Sequence, residues 1–349
     1  INILPMKNCL FLLFLSSLAS NLVFGLPDPD GKSADMSKPV QVFIIMGQSN
    51  TLEMGKVKGD KEGSLEHAVK KENLYPFMAD GSGNWTTRKD VRNVHVMGSG
   101  GPGKTREMRN DWLTVSGGKI GIETGIGHQL GNALNAPVLI LKSSIGNRSL
   151  GWDLLPTGSP RHEVETTDKK TGKIITLVTP AHKDEVRHAS WTKGEVPAPP
   201  KHTWHAGLQY LGDIARAQDV LKNLGKYYPD ATKFEVAGFL WWQGDKDRYN
   251  AAHSAVYGKN LNQLFKALRK EFNAPKAKMV VATLGQTNKD TASGNEKLII
   301  EGMLAFGDAH KGKAATVYTN PISMGSSSNA HYGGNAKTYM NVGLAMGEA

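Results

Sequence analysis

Apolar residues in this chain fall into short unbroken runs, separated by longer stretches in which they recur every three or four positions. The runs are VQVFIIMG (Val40–Gly47), VHVMG (Val94–Gly98), APVLILKSS (Ala136–Ser144), EVAGFLWWQG (Glu235–Gly244), KMVVATLG (Lys278–Gly285) and AATVYTN (Ala314–Asn320). A short apolar run bounded by turn residues is the pattern of a strand buried on both faces. Between the runs, Leu208, Leu211, Ile214, Ala217, Leu221 and Leu224 hold one helix face up to Gly225, and Leu261, Leu264, Phe265, Leu268 and Phe272 hold another. Strands alternating with helices predict an α/β fold of three layers, α/β/α, with a parallel sheet flanked by helices.

The pattern lapses twice. Between about residues 156 and 203 the chain turns polar and rich in Pro, Gly, Thr and Lys. This reads as an insertion or flap on a single domain spanning 40–349, without a core of its own. At the other lapse, Met6-Lys7 precedes the apolar stretch CLFLLFLSSLA, too short to cross a bilayer, and Val23-Phe24-Gly25 follows as a small-residue cleavage site. Residues 1–25 are therefore expected to be a signal peptide, with 1–5 an upstream over-extension and 26–39 a linker. The expected product is secreted or periplasmic, with no stable membrane insertion after cleavage.

Cys9, inside that leader, is the one cysteine of the 349 residues. A mature chain without it has no disulfide, thiol nucleophile or Cys-ligated metal. At 39% hydrophobic and 21% charged the composition is that of an ordinary folded protein. The net charge of +10, less Lys7 after cleavage, favours acidic partners such as anionic polysaccharide, or else reflects a scattered solvated surface.

Ligands of parallel α/β sheets sit at the carboxyl ends of the strands, and four such exits carry pointed chemistry. The first strand runs out into Gly47-Gln48-Ser49-Asn50, and others into Gly146-Asn147 and Gln243-Gly244-Asp245. The loop after the last strand holds His331. A serine hydroxyl needs a base to take its proton, and imidazole titrates near neutrality, so Ser49 and His331 suit a nucleophile and its base. An oxyanion formed on an ester needs fixed donors, which the backbone N–H groups of Ser49 and Gly146 and the Gln243 amide would supply.

The ordered set GQSN, IGIETGIGHQLGNAL, IGNRSLGWD, WWQGD and HYGGNAKTYMNVG resembles the sialate O-acetylesterase and acetylxylan-esterase branch of the SGNH/GDSL hydrolase superfamily, from Val40 to Ala349 apart from the polar insertion. The resemblance implies a flavodoxin-like three-layer fold, O-acetylated carbohydrate as substrate and an acyl-enzyme mechanism. It makes Ser49 the nucleophile, His331 the base, and Ser49, Gly146 and Gln243 the oxyanion hole, with Asn147 at a position where many relatives carry a second Gly. The wider superfamily commonly has an Asp three residues before the histidine. Here that position is Ser328, and no carboxylate lies in Pro321 to Thr338. Asp245 is the first candidate to orient His331 and Glu123 the second, with a dyad supported by a backbone carbonyl or the Ser328 hydroxyl as the alternative.

GSGGPGKT, Gly98 to Thr105, matches a phosphate-cradling loop, but REMRNDWLTVSGG after it has no helix pattern, so no nucleotide is expected. No histidine pair has metal-ligand spacing, and the basic residues lack an interleaved aromatic platform, so neither a metal, a cofactor nor nucleic acid is expected. The competing readings are a catalytically dead carbohydrate-binding protein on the same fold and a general or lipid esterase.

Overall fold

The computed structural model describes residues 33–168, 170–186, 189–199 and 204–349. The expected signal peptide lies outside the described residues.

Seven strands form the central sheet: β1 (Val40–Gly47), β2 (Thr87–Met97), β3 (Arg106–Thr114), β4 (Val138–Ser143), β5 (Phe234–Trp242), β6 (Lys278–Ala282) and β7 (Ala314–Val317). Their order is β7-β6-β5-β1-β4-β2-β3. Every pairing is parallel except that of β3, which runs antiparallel to β2 along one edge. The six apolar runs correspond to six of these strands. The seventh, β3, comes from REMRNDWLT, whose charged residues conceal a strand exposed along much of its length.

The long helices are α1 (Ile122–Ala133), α2 (Leu208–Lys222), α3 (Ala251–Glu271), α4 (Gly294–Ala309) and α5 (Ala336–Glu348). Side chains alternate across β1, so that Val42, Ile44 and Met46 enter a core with Ile214, Leu261, Phe265 and Met303 from α2, α3 and α4. Ile45 on the opposite face joins Ile122, Ile126, Tyr339 and Val342 from α1 and α5. The sheet is thus covered on both faces. Helices α1 and α5 meet so closely that a Cβ on Gly125 would lie 2.5 Å from the Leu344 nitrogen, and one on Gly343 would lie 2.4 Å from the Ile122 oxygen. Helix α2 ends at Asn223, ahead of Gly225, and a short helical turn Leu224–Tyr227 follows.

The polar insertion builds a small antiparallel sheet from Glu163–Thr167, Ile174–Val178 and Trp191–Thr192. It lies along α3, where the Gln263 amide donates to Thr157 O (2.6 Å) and Asn250 Nδ2 donates to Ser190 Oγ (3.1 Å).

Candidate active site

The first strand exit is built around Gly47, which pairs with Trp242 across β1 and β5. Its φ is +149°, and a Cβ there would lie 2.6 Å from Trp242 O, so the backbones approach as only glycine permits. This turn starts a short 3₁₀ segment, Ser49–Thr51, stapled by Thr51 Oγ1 donating to Gln48 O at 2.7 Å and Leu52 N donating to Ser49 O at 3.1 Å. Ser49 is left half-buried at the strand end, while Gln48 and Asn50 on either side are buried.

Ser49 opens into a cavity of about 470 Å³. All four strand exits contribute to it, through Ser49, Gly146, Asp245, Tyr249 and His331 among others. Gly146 approaches closely enough that a Cβ on it would sit 3.4 Å from Ser49 Cβ. The N–H groups of Ser49 and Gly146 take no part in the loop and turn hydrogen bonds of the described residues. His331 adopts a left-handed backbone, φ +51° and ψ +42°, within a bend ending at Asn335, which caps α5.

Gln243 is placed differently from the sequence expectation. It is fully buried and does not line the cavity. Its Nε2 donates to Arg148 O (2.9 Å), Asp247 Oδ2 (2.5 Å) and Gln48 Oε1 (3.2 Å), and its Oε1 accepts from Tyr257 OH (3.1 Å). With its two amide hydrogens directed at three acceptors, this side chain braces loops and does not face the reaction space. Gln48 completes the brace by accepting from Lys246 N at 3.1 Å.

Asp247, which the sequence reading passed over, organises the Gly146 loop. It is fully buried and accepts from the backbone N–H of Leu150 and of Gly151, both at 2.8 Å. Burial pushes its carboxyl pKa up, against the opposing pull of His253 and the Gln243 amide. His253 in turn approaches Ala189 O of the insertion at 2.9 Å. The signal for Asp247 in the sequence is only that of one more acid in GDKD.

Asp245 reaches the cavity, but its carboxylate forms no ion pair with His331. It accepts from Arg248 Nε (2.8 Å) and from Ser328 Oγ (2.7 Å), the residue three places before the histidine. Glu123 is committed elsewhere. It accepts from Gly121 N (2.9 Å) and from Lys142 Nζ (2.6 Å), a lysine with no exposed surface on β4. Lys142 also donates to Glu53 at 2.9 Å, and His95 Nδ1 stands 3.2 Å from the same carboxylate. Burial alone would push Glu53 up, but Lys142 and His95 outweigh it and hold the carboxyl far below the usual carboxylate range. Burial likewise presses Lys142 toward neutrality, and Glu123 and Glu53 overcome it to raise the ammonium pKa.

None of the described residues of the insertion lines the cavity. The loop Gly98–Thr105 leads into the antiparallel strand β3. Its carbonyls at Gly98, Gly100 and Gly101 accept from Gln209 and Arg216. No cluster with the makeup of a metal site occurs among the described residues.

A helix-flanked, mostly parallel sheet that delivers a serine and a histidine to one open crevice at its strand ends has the form of an α/β ester hydrolase. The chain belongs to the carbohydrate esterase, sialic acid-specific acetylesterase family, whose model matches residues 161–346. That stretch carries Gln243, Asp245 and His331; Ser49 and Gly146 lie upstream of it. The enzyme is accordingly a carbohydrate O-acetylesterase-like carboxylic ester hydrolase.

Among the solved structures that resemble the chain are the following three. A protein from Arabidopsis thaliana is 14% identical over 89% of this chain and 97% of its own, with a TM-score of 0.49. The carbohydrate acetylesterase XAC1771 from Xanthomonas citri is 12% identical over 87% and 55%, with a TM-score of 0.47. NanS is 13% identical over 82% and 78%, with a TM-score of 0.42. No curated protein matches the chain.

Proposed function

We propose that the protein is an exported serine esterase that removes O-acetyl groups from carbohydrate through an acyl-enzyme. Ser49 Oγ attacks the acetyl carbonyl carbon as His331 takes the hydroxyl proton. The proton then passes to the departing sugar oxygen as the C–O bond breaks. A water, deprotonated by the same imidazole, attacks the acetyl carbonyl; the bond to Ser49 Oγ breaks, the imidazolium returns its proton to Ser49, and acetate leaves. The backbone N–H groups of Ser49 and Gly146 serve the oxyanion, and Gln243 positions the loops that carry them. Asp245, held by Ser328 and Arg248, supplies the carboxylate near the histidine. The observation that carries this reading is the single cavity where Ser49, Gly146 and His331 converge from three separate strand exits.

Release of acetate from a panel of acetylated xylans, sialic acids and related glycans tests it, together with covalent labelling by a fluorophosphonate. Wild-type protein should do both, and Ser49→Ala should lose both while keeping its fold. Full turnover in Ser49→Ala would refute the assignment, and a wild type that neither labels nor releases acetate would favour a carbohydrate-binding role. Export is supported by the leader-like segment Met6–Gly25. N-terminal sequencing of the protein recovered outside the cytoplasm should begin near residue 26.

A further inference from the structure

The side chains that line the cavity are of two kinds: Asn147, Lys246, Tyr249 and Asn329 bring polar or aromatic groups, whereas Leu52 and Met54 are its aliphatic side chains. These two flank Glu53 in a stretch with no regular secondary structure, so that the chain presents Leu52 and Met54 to the cavity and Glu53 to Lys142 behind it. Leu52 is tied to the nucleophile itself through its N–H to Ser49 O, 3.1 Å. A short irregular segment beside an open cavity would ordinarily be mobile. Here a buried ammonium, itself anchored by Glu123 of α1, grips it from within the sheet at 2.9 Å. Breaking one partner out of such a buried pair leaves an uncompensated charge, which makes the grip stiff.

We propose that Leu52 and Met54 form the acyl wall of this esterase, limiting the acyl group to a short chain, and that Glu53 locks the wall in place through Lys142. An acyl methyl set against the aliphatic carbons of Leu52 and Met54 leaves the hydroxyl-rich sugar to the polar and aromatic side chains, so the two kinds of lining suit the two parts of the ester. Glu53 touches neither ester nor water in this scheme; it is a positioning residue. The inference rests on the esterase reading given above.

The test is a series of p-nitrophenyl acetate, butyrate and hexanoate, with kcat/KM measured for wild type, Leu52→Ala, Met54→Ala and Glu53→Gln. Fluorophosphonate labelling and thermal melting confirm an intact site and fold. Wild type should prefer acetate. Truncating either wall residue should raise the butyrate-to-acetate ratio at least about tenfold, the order by which a pocket discriminates a methylene. Glu53→Gln should move the ratio the same way by a smaller factor, with Ser49 still labelled. A purely structural Glu53 would lower melting without moving the ratio. Because Glu53→Gln is capable of unfolding the chain, Leu52→Phe provides an independent arm: it narrows the wall and should suppress butyrate more than acetate. Unchanged ratios in Leu52→Ala, Met54→Ala and Leu52→Phe, with acetate still hydrolysed, overturn the acyl wall alone. A wild type inert toward acetate overturns the esterase reading together with it.

Discussion

Asp213 on α2 is a carboxylate with no exposed surface. Its Oδ1 accepts from Arg216 (2.9 Å) and Gln209 (2.8 Å), and its Oδ2 is buried with no partner. Burial is the dominant influence and, despite Arg216, drives its pKa from 3.8 to about 7. Between those values the folded protein keeps a proton that the unfolded chain has released. The unfolded state therefore binds fewer protons, and stability falls as pH rises from about 4 to about 7, then levels off. At ~1.4 kcal/mol per pH unit, a gap of about three units amounts to ~4 kcal/mol lost across that window. Asp213→Asn keeps the Oδ1 acceptor and abolishes the titration. Urea unfolding of both proteins at intervals from pH 4 to pH 8 isolates the effect, because other titrating groups contribute equally to each. The wild-type curve should fall more steeply by several kcal/mol. Parallel pH profiles would refute the reasoning, and a variant that loses stability at high pH relative to low would reverse its sign.

Other expectations follow from the site. Asp245→Asn should lower kcat about tenfold, well short of the ~10⁴-fold loss when a fully engaged triad carboxylate is neutralised, because Arg248 already pairs this carboxylate; steady-state kinetics on an aryl acetate measures it. Gly47→Ala should destabilise by at least ~2 kcal/mol in chemical denaturation, since its Cβ would press on Trp242 O. Gln243→Ala should lower melting temperature and kcat together, as removal of a buried brace would; a fall in kcat with unaltered melting would put the amide on the oxyanion instead. Tyr249→Ala, at a 63% exposed ring on the cavity rim, should raise KM for an acetylated glycan several-fold while leaving KM for a small aryl acetate nearly unchanged.

The strands that place the site were legible because a parallel strand covered on both faces must be apolar along its length. The convergence of GQSN, IGN, QGD and the histidine loop follows from the rule for strand ends. Strand β3 was not legible: an exposed antiparallel edge needs no apolar run, and REMRNDWLT has none. Nor was the commitment of polar side chains. APVLILKSS reads as a buried apolar strand and says nothing of what its one charged residue meets, yet Lys142 is enclosed by Glu53 and Glu123, 89 and 19 residues away. Gln243 reads as a donor waiting for an oxyanion, but Arg148 O, Asp247 and Gln48 accept from its amide. Asp245 is drawn to Ser328, the position an acid commonly fills in the wider superfamily, by a contact spanning 83 residues. Such pairings are set by tertiary proximity, which local periodicity does not encode.

The two borders of the sheet bear on how the protein behaves at high concentration. A strand at a sheet's margin presents unpaired backbone groups that invite a second molecule to add on, the first step toward fibrils. On one border β3 carries Arg106, Glu107, Arg109 and Asp111, so a neighbour aligned there would face charges of both signs. On the other, β7 is only four residues long and offers too little backbone to template a partner. The segment that disguised itself in the sequence thus guards the molecule against self-association, and apolar replacements along it should promote aggregation before they affect catalysis.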